Sequence, residues 1–105
     1  MVDVKIFRLS TGEDVIGQKL EDSNENLIHV KQAFVIVPMQ SKPGGPVQLA
    51  LTPYMPYAES EVIVFKSSNI ITEVEPKLDI KNSYNSHLGA GIVQLKKPKL
   101  IIDWW

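Results

Sequence analysis

Cysteine is absent from the 105-residue chain, which excludes a disulfide framework, a thiolate metal site and a cysteine nucleophile. Charge of neither sign predominates. Eleven Lys and Arg against 12 Asp and Glu leave a formal net charge of -1, so any contact with a polyanion falls to a local basic patch. No stretch approaches the roughly 20 consecutive apolar residues of a membrane helix, and Met1 to Lys5 lacks the apolar run of a signal peptide. The expectation is a cytoplasmic protein that meets no membrane. Histidine is scarce too: His29 and His87 stand far apart, and no spacing ties either to a nucleophile or a metal-ligand set. Gly44-Gly45 lacks the lysine and hydroxyl residue of a phosphate-binding loop, and Glu73 and Glu75 read as a solvated strand face. The sequence therefore offers no catalytic residues, no metal site and no cofactor motif, and reads as a protein that is not an enzyme.

What is present suits one globular domain spanning residues 1–105. Apolar residues make up 44% and charged residues 22%, enough to build a core, and a chain this short commonly buries its remaining apolar surface by self-association. Val2 to Leu9 and Val15 to Glu21 read as strands around the turn Ser10-Thr11-Gly12-Glu13-Asp14. Asp22-Ser23-Asn24-Glu25-Asn26 is a second turn of residues that hydrogen-bond their own backbone. Leu27 to Met39 is the longest strand candidate. Period-2 alternation sets Ile28, Val30, Phe34 and Ile36 on one face and Ala33, Val35 and Val37 on the other. Residues 41–61 form an inserted or extended hairpin region: a Pro/Gly loop, a strand over Val47 to Tyr54, and an aromatic cluster of Tyr54, Met55 and Tyr57. Val62 to Lys66 and Ile70 to Val74 are two short strands separated by Ser67-Ser68-Asn69. After Pro76 the spacing of Leu78, Ile80, Tyr84 and Leu88 predicts one helix, with Gly89 placed to end it. Residues 90–105 are a tail, with a lysine run at Lys96, Lys97 and Lys99 and an apolar end at Trp104-Trp105 that calls for burial against the domain or a partner.

Two stretches together resemble the Sm-like family. The first is Val4 to Asn26: an apolar strand, Leu9-Ser10-Thr11-Gly12 at the hairpin, Gly17 five residues on, then Asp22 and Asn26 in the next turn. The second, Val64-Phe65-Lys66-Ser67-Ser68-Asn69-Ile70-Ile71-Thr72-Glu73-Val74-Glu75-Pro76, is similar to the last two strands of Hfq-type members and their short polar knuckle. A chain that starts in a strand and carries its helix after the second motif is similar to short phage members. The resemblance implies an all-β fold, a small strongly bent antiparallel barrel of five or more strands with one C-terminal helix. It implies a homo-oligomeric ring in which Ile70, Ile71, Thr72, Glu73 and Val74 pair with the next subunit. It also implies single-stranded RNA as partner at Asp22, Asn24, Asn26, Lys66, Ser68 and Asn69, and a host cell's cytoplasm as location if the chain is phage-encoded.

The residues depart from the family pattern in three places, the first being that the turn after Gly17 comes one residue early. Asn24 stands where the family stacks a base on an apolar or aromatic side chain, and Ser67-Ser68 replaces arginine-glycine or histidine in the knuckle. Two functions lead on the sequence, an RNA-binding ring and a structural or protein-interaction scaffold that uses the aromatic insert and the Trp-Trp tail as contact surface; a small hydrolase is kept as a third only because a missing motif is not proof.

Overall fold

The computed structural model describes residues 3–40 and 42–96, and of 89–96 the helical backbone alone. Six strands and one long helix follow in order: β1 (Asp3–Leu9), β2 (Asp14–Lys19), β3 (Leu27–Gln40), β4 (Val47–Pro53), β5 (Val62–Lys66), β6 (Ile70–Val74) and α1 (Leu78–Lys96). A single 3-10 turn, Ser67–Asn69, joins β5 to β6. All strand pairs are antiparallel. The sheet runs β4-β3-β2-β1-β6, and β5 lies beside the first half of β3, end to end with β4 along the same edge.

Backbone hydrogen bonds show how strongly the sheet bends. Ser67 N–H donates to Asn26 O at 2.9 Å, and Ser10 N–H donates to Asn69 O at 2.8 Å. The turns holding Ser10 and Asn26 lie at opposite ends of β2, whose six residues span about 20 Å at roughly 3.3 Å per residue. One three-residue turn reaches both only because the sheet curls around it. The barrel stays open, because β5 and β6 face each other across this turn without a ladder between them.

Each face of the bent sheet carries its own core. Phe7, Leu9, Val15, Ile28, Val30, Ala33 and Phe65 fill the inner side, with Tyr54, Ile63 and Ile70 packed around them. Val4 and Ile16 point the other way and meet Tyr84 of α1, with Ile6, Phe34, Ile36, Leu51, Ile80 and Leu88 at the margin. The alternation Val4/Ile6 against Phe7/Leu9 in β1 and Ile16 against Val15 in β2 follows from the period of two.

β3 breaks that period. Ile28 and Val30 belong to the inner core with Ala33 and Val35, whereas Phe34 and Ile36 lie under the helix, so the four residues assigned to one face by alternation are split between two. The cause is a bulge. The β2–β3 register slips between Ile16 and Gln18, and opposite it Gln32 takes a left-handed φ of 54°, rare outside glycine. Three contacts hold Gln32 there: its N–H donates to Glu61 O at 3.0 Å, its Oε1 accepts from Gln18 Nε2 at 3.0 Å, and its carbonyl accepts from the Tyr84 hydroxyl at 2.8 Å. Gly17 sits across from the bulge, where a Cβ would overlap Val30 Cγ1 and come within 3.3 Å of Ala33 Cα and Lys31 O. Only glycine fits so close a backbone approach.

The helix corrects two expectations. Leu78 is exposed and not on the packed face, which begins with Ile80. Nor does the helix stop at Gly89: it continues to Lys96. A glycine ends a helix by adopting the left-handed conformation, and inside one it costs only about 1 kcal/mol relative to alanine. The Trp104-Trp105 end and Lys97 and Lys99 lie outside the described residues.

Candidate nucleic-acid and subunit interface

The β2–β3 turn is built from its own side chains. Asn24 Oδ1 accepts from the N–H groups of Asn26 and Leu27 at 2.7 and 2.9 Å, and Asn24 N–H donates to Leu27 O at 2.8 Å. This is the Asx geometry that lets asparagine close a turn. Asp22 Oδ2 lies 3.3 Å from His29 Nδ1, a neighbour that sequence spacing did not disclose. Ser23 Oγ accepts from His29 N–H at 2.9 Å, so the serine is engaged with the backbone.

The structure brings the two halves of the expected RNA site together. Leu27 pairs with Lys66, the backbone bond from Ser67 to Asn26 extends that ladder, and Ser67 Oγ donates to Glu25 O at 2.7 Å. Asp22, Asn24, Asn26, Lys66, Ser68 and Asn69 are all exposed along this seam. Ser67 is the residue that sequence reasoning passed over. The signal was the antiparallel pairing of the strands flanking the two turns, which no single motif contains. The seam is electrostatically mixed, because Lys66 shares it with Asp22 and Glu25.

The edges beside this seam are open. Ser67 N–H and Gln32 N–H point across the β3–β5 ladder, so by alternation Phe65 and Ile63 bond inward while Val64 turns its main-chain groups outward, as does Val62, whose N–H is taken by Ser60 Oγ at 3.0 Å. In β6, Leu9 N–H is committed to Glu13 O, which leaves Arg8 and Ile6 to bond Thr72 and Val74; Glu73 between them therefore faces outward, and the register slips at Ile71, which has no partner on β1. Val64 is 49% and Ile71 64% exposed, high for large aliphatic residues on short strands. The remaining polar groups are structural cross-ties: Arg8 grips Asp14 through two bonds of 2.7 and 2.9 Å, Lys19 binds Glu73 at 3.0 Å, and Lys5 pairs with Glu75. The Arg8 guanidinium holds the Asp14 carboxyl below its ordinary value.

The other singled-out residues lie apart from the seam. Tyr54 packs on Phe65 with ring centroids 5.4 Å apart, a core contact, while Met55 and Tyr57 remain exposed. His87 stacks its edge against Phe34 at 4.9 Å, and burial pushes its pKa down. Among the described residues there is no group of three or more His, Cys, Asp or Glu that could hold a metal ion. No helix of the described residues is long and apolar enough to cross a membrane. The chain matches no family model and no curated protein.

Proposed function

We propose that the chain is a cytoplasmic, ring-forming Sm-like protein that offers single-stranded RNA the seam between its β2–β3 turn and its β5–β6 knuckle. One observation carries this reading: two five-residue edge strands, β5 and β6, joined by a three-residue turn and both open on their outer edge, flank that seam. Pairing β5 of one subunit with β6 of the next closes both edges, and repeating a head-to-tail contact around an axis gives a ring. Each subunit then contributes Asn26, Lys66, Ser68 and Asn69 to one side of it, hydrogen-bonding groups and a cation suited to bases and phosphate.

A second reading, a scaffold that binds no RNA, is favoured by two details. Asn24 spends its side-chain oxygen on the turn, and Asp22 and Glu25 stand beside the single lysine. The two are separated by titrating short oligo(U) and oligo(A) RNAs at several salt concentrations while measuring native mass. An RNA-binding ring shows salt-sensitive affinity that Lys66→Ala and Asn26→Ala weaken. Ile71→Pro, which removes a main-chain donor from the edge strand β6, dissociates it. A ring indifferent to RNA at low salt supports the scaffold, and a monomer refutes the Sm-like ring.

A further inference from the structure

β4 has β3 on one side and no strand on the other among the described residues. Soluble proteins blunt such edges with lysine, inward charge or bulges. Val47–Pro53 has none of these, and its one proline, another such device, stands at the last position: its sequence, VQLALTP, carries no charge, and its register with β3 is unbroken from Gln40↔Val47 to Phe34↔Pro53. Val47 and Leu49 are 58% and 50% exposed. The other two edges differ, since β5 ends in Lys66 and β6 carries Glu73.

Hydrogen-bond parity fixes what the edge offers. Tyr54 N–H donates to Ala33 O at 3.0 Å, so Thr52, Ala50 and Gln48 turn their main-chain groups to β3, while Val47, Leu49 and Leu51 turn theirs outward. A groove of about 600 Å³ runs between Leu49-Ala50-Leu51 and Asn82, Ser83, Ser86 and His87 of α1, leaving the helix side of this edge open to a second strand.

We propose that β4 pairs antiparallel with β4 of a second copy of this chain, about a two-fold axis through Ala50. Charge selects the partner. In a two-fold antiparallel pair each strand faces its own sequence reversed, so a charged edge meets its own sign, and an uncharged edge meets none. The register also closes. Leu49 of one copy and Leu51 of the other exchange both bonds through groups already turned outward. Val47 meets Pro53, whose missing N–H falls at the strand end, and Ala50 faces Ala50 in a non-hydrogen-bonded pair with Cα atoms about 4.5 Å apart. This contact uses neither β5 nor β6, so it adds to a ring contact without competing with it.

The absence of native cysteine makes the test clean. A pair at that spacing is within disulfide reach. Mild oxidation of Ala50→Cys at micromolar protein should give covalent dimers on a non-reducing gel, far faster than Ser10→Cys on a turn. Leu49→Pro, which deletes an outward donor, and Leu49→Lys, which keeps the backbone and sets like charges on the diagonal across the axis, should each halve the native mass, while Ile71→Pro should leave the Ala50→Cys cross-link intact. Cross-linking of Ala50→Cys no faster than Ser10→Cys overturns the proposal, as does a native mass unchanged by both Leu49 variants. A foreign peptide occupying the edge would give the first of these results. Loss of the ring in Ile71→Pro with the cross-link retained would bear on the ring alone.

Discussion

The close approach at Gly17 makes a quantitative test of the bulge in β3. Gly17 lies in ordinary extended backbone, so alanine there meets no conformational penalty. On chain entropy alone Gly17→Ala should stabilise by about 0.4–1 kcal/mol. The structure demands the opposite sign. A Cβ at this position overlaps Val30 Cγ1, a side chain with no exposed surface, and stands 3.3 Å from the backbone of Lys31 and Ala33. Overpacking of this kind costs about 1–3 kcal/mol. Val30→Ala alone empties the same space, and with each buried methyl worth about 0.5–1.5 kcal/mol it should cost roughly 1–3 kcal/mol. In the double variant the new methyl enters the vacated volume, so its loss should fall short of the sum of the singles by about 1 kcal/mol or more. Urea unfolding followed by circular dichroism gives all four corners of the cycle, and a constant m-value certifies that the transitions are comparable. Additivity within about 0.3–0.5 kcal/mol, or a stabilised Gly17→Ala, would refute the packing account.

Two further outcomes follow from the helix. Tyr84→Phe keeps the buried ring but leaves the Gln32 carbonyl without its 2.8 Å partner, and should cost about 1–2 kcal/mol, read in calorimetry as a Tm lower by about 4–8 °C per kcal/mol. An unchanged Tm would mean that the bulge does not depend on the hydroxyl. Burial holds the folded-state pKa of His87 below its ordinary value of 6.5, so the unfolded chain binds the proton first. Stability should be flat with respect to this group above about pH 6.5 and fall as pH drops below it, and His87→Gln should flatten that limb of the profile; equal slopes for both proteins between pH 6.5 and 5 would sink the assignment.

Much of the architecture was legible because it rests on local rules. Both short strands, Val62–Lys66 and Ile70–Val74, have the bounds that β-branched runs ending in a polar triplet imply, and the meander of β1 to β3 follows from two turns of glycine and Asx residues. What escaped is long-range. The face of Phe34 depends on Gln32, which has no sequence mark of a left-handed residue and is held by Glu61, Gln18 and Tyr84. The same holds for the seam: each turn was recognisable, but the bonds that Ser67 makes to Glu25 and Asn26, and the approach of Asp22 to His29, are products of the fold. The helix length was misjudged because glycine signals a stop only through the backbone angle it takes, which composition does not encode.

β3 is the wall that the two cores share, and this shapes how the domain comes apart. Its first half is clamped between β2 and β5 over the inner core, and its second half, past the bulge, supports α1 from the other side. Tyr84 is the only described helix residue that is fully buried. Detaching α1 therefore uncovers Val4, Ile16 and Phe34 while the inner core stays sealed, so the helix is a separate cooperative unit, exchanging its amide hydrogens at a lower free energy than the strands beneath it. Under native conditions the helix should therefore open locally more often than the strands beneath it, while global unfolding waits until β3 itself gives way.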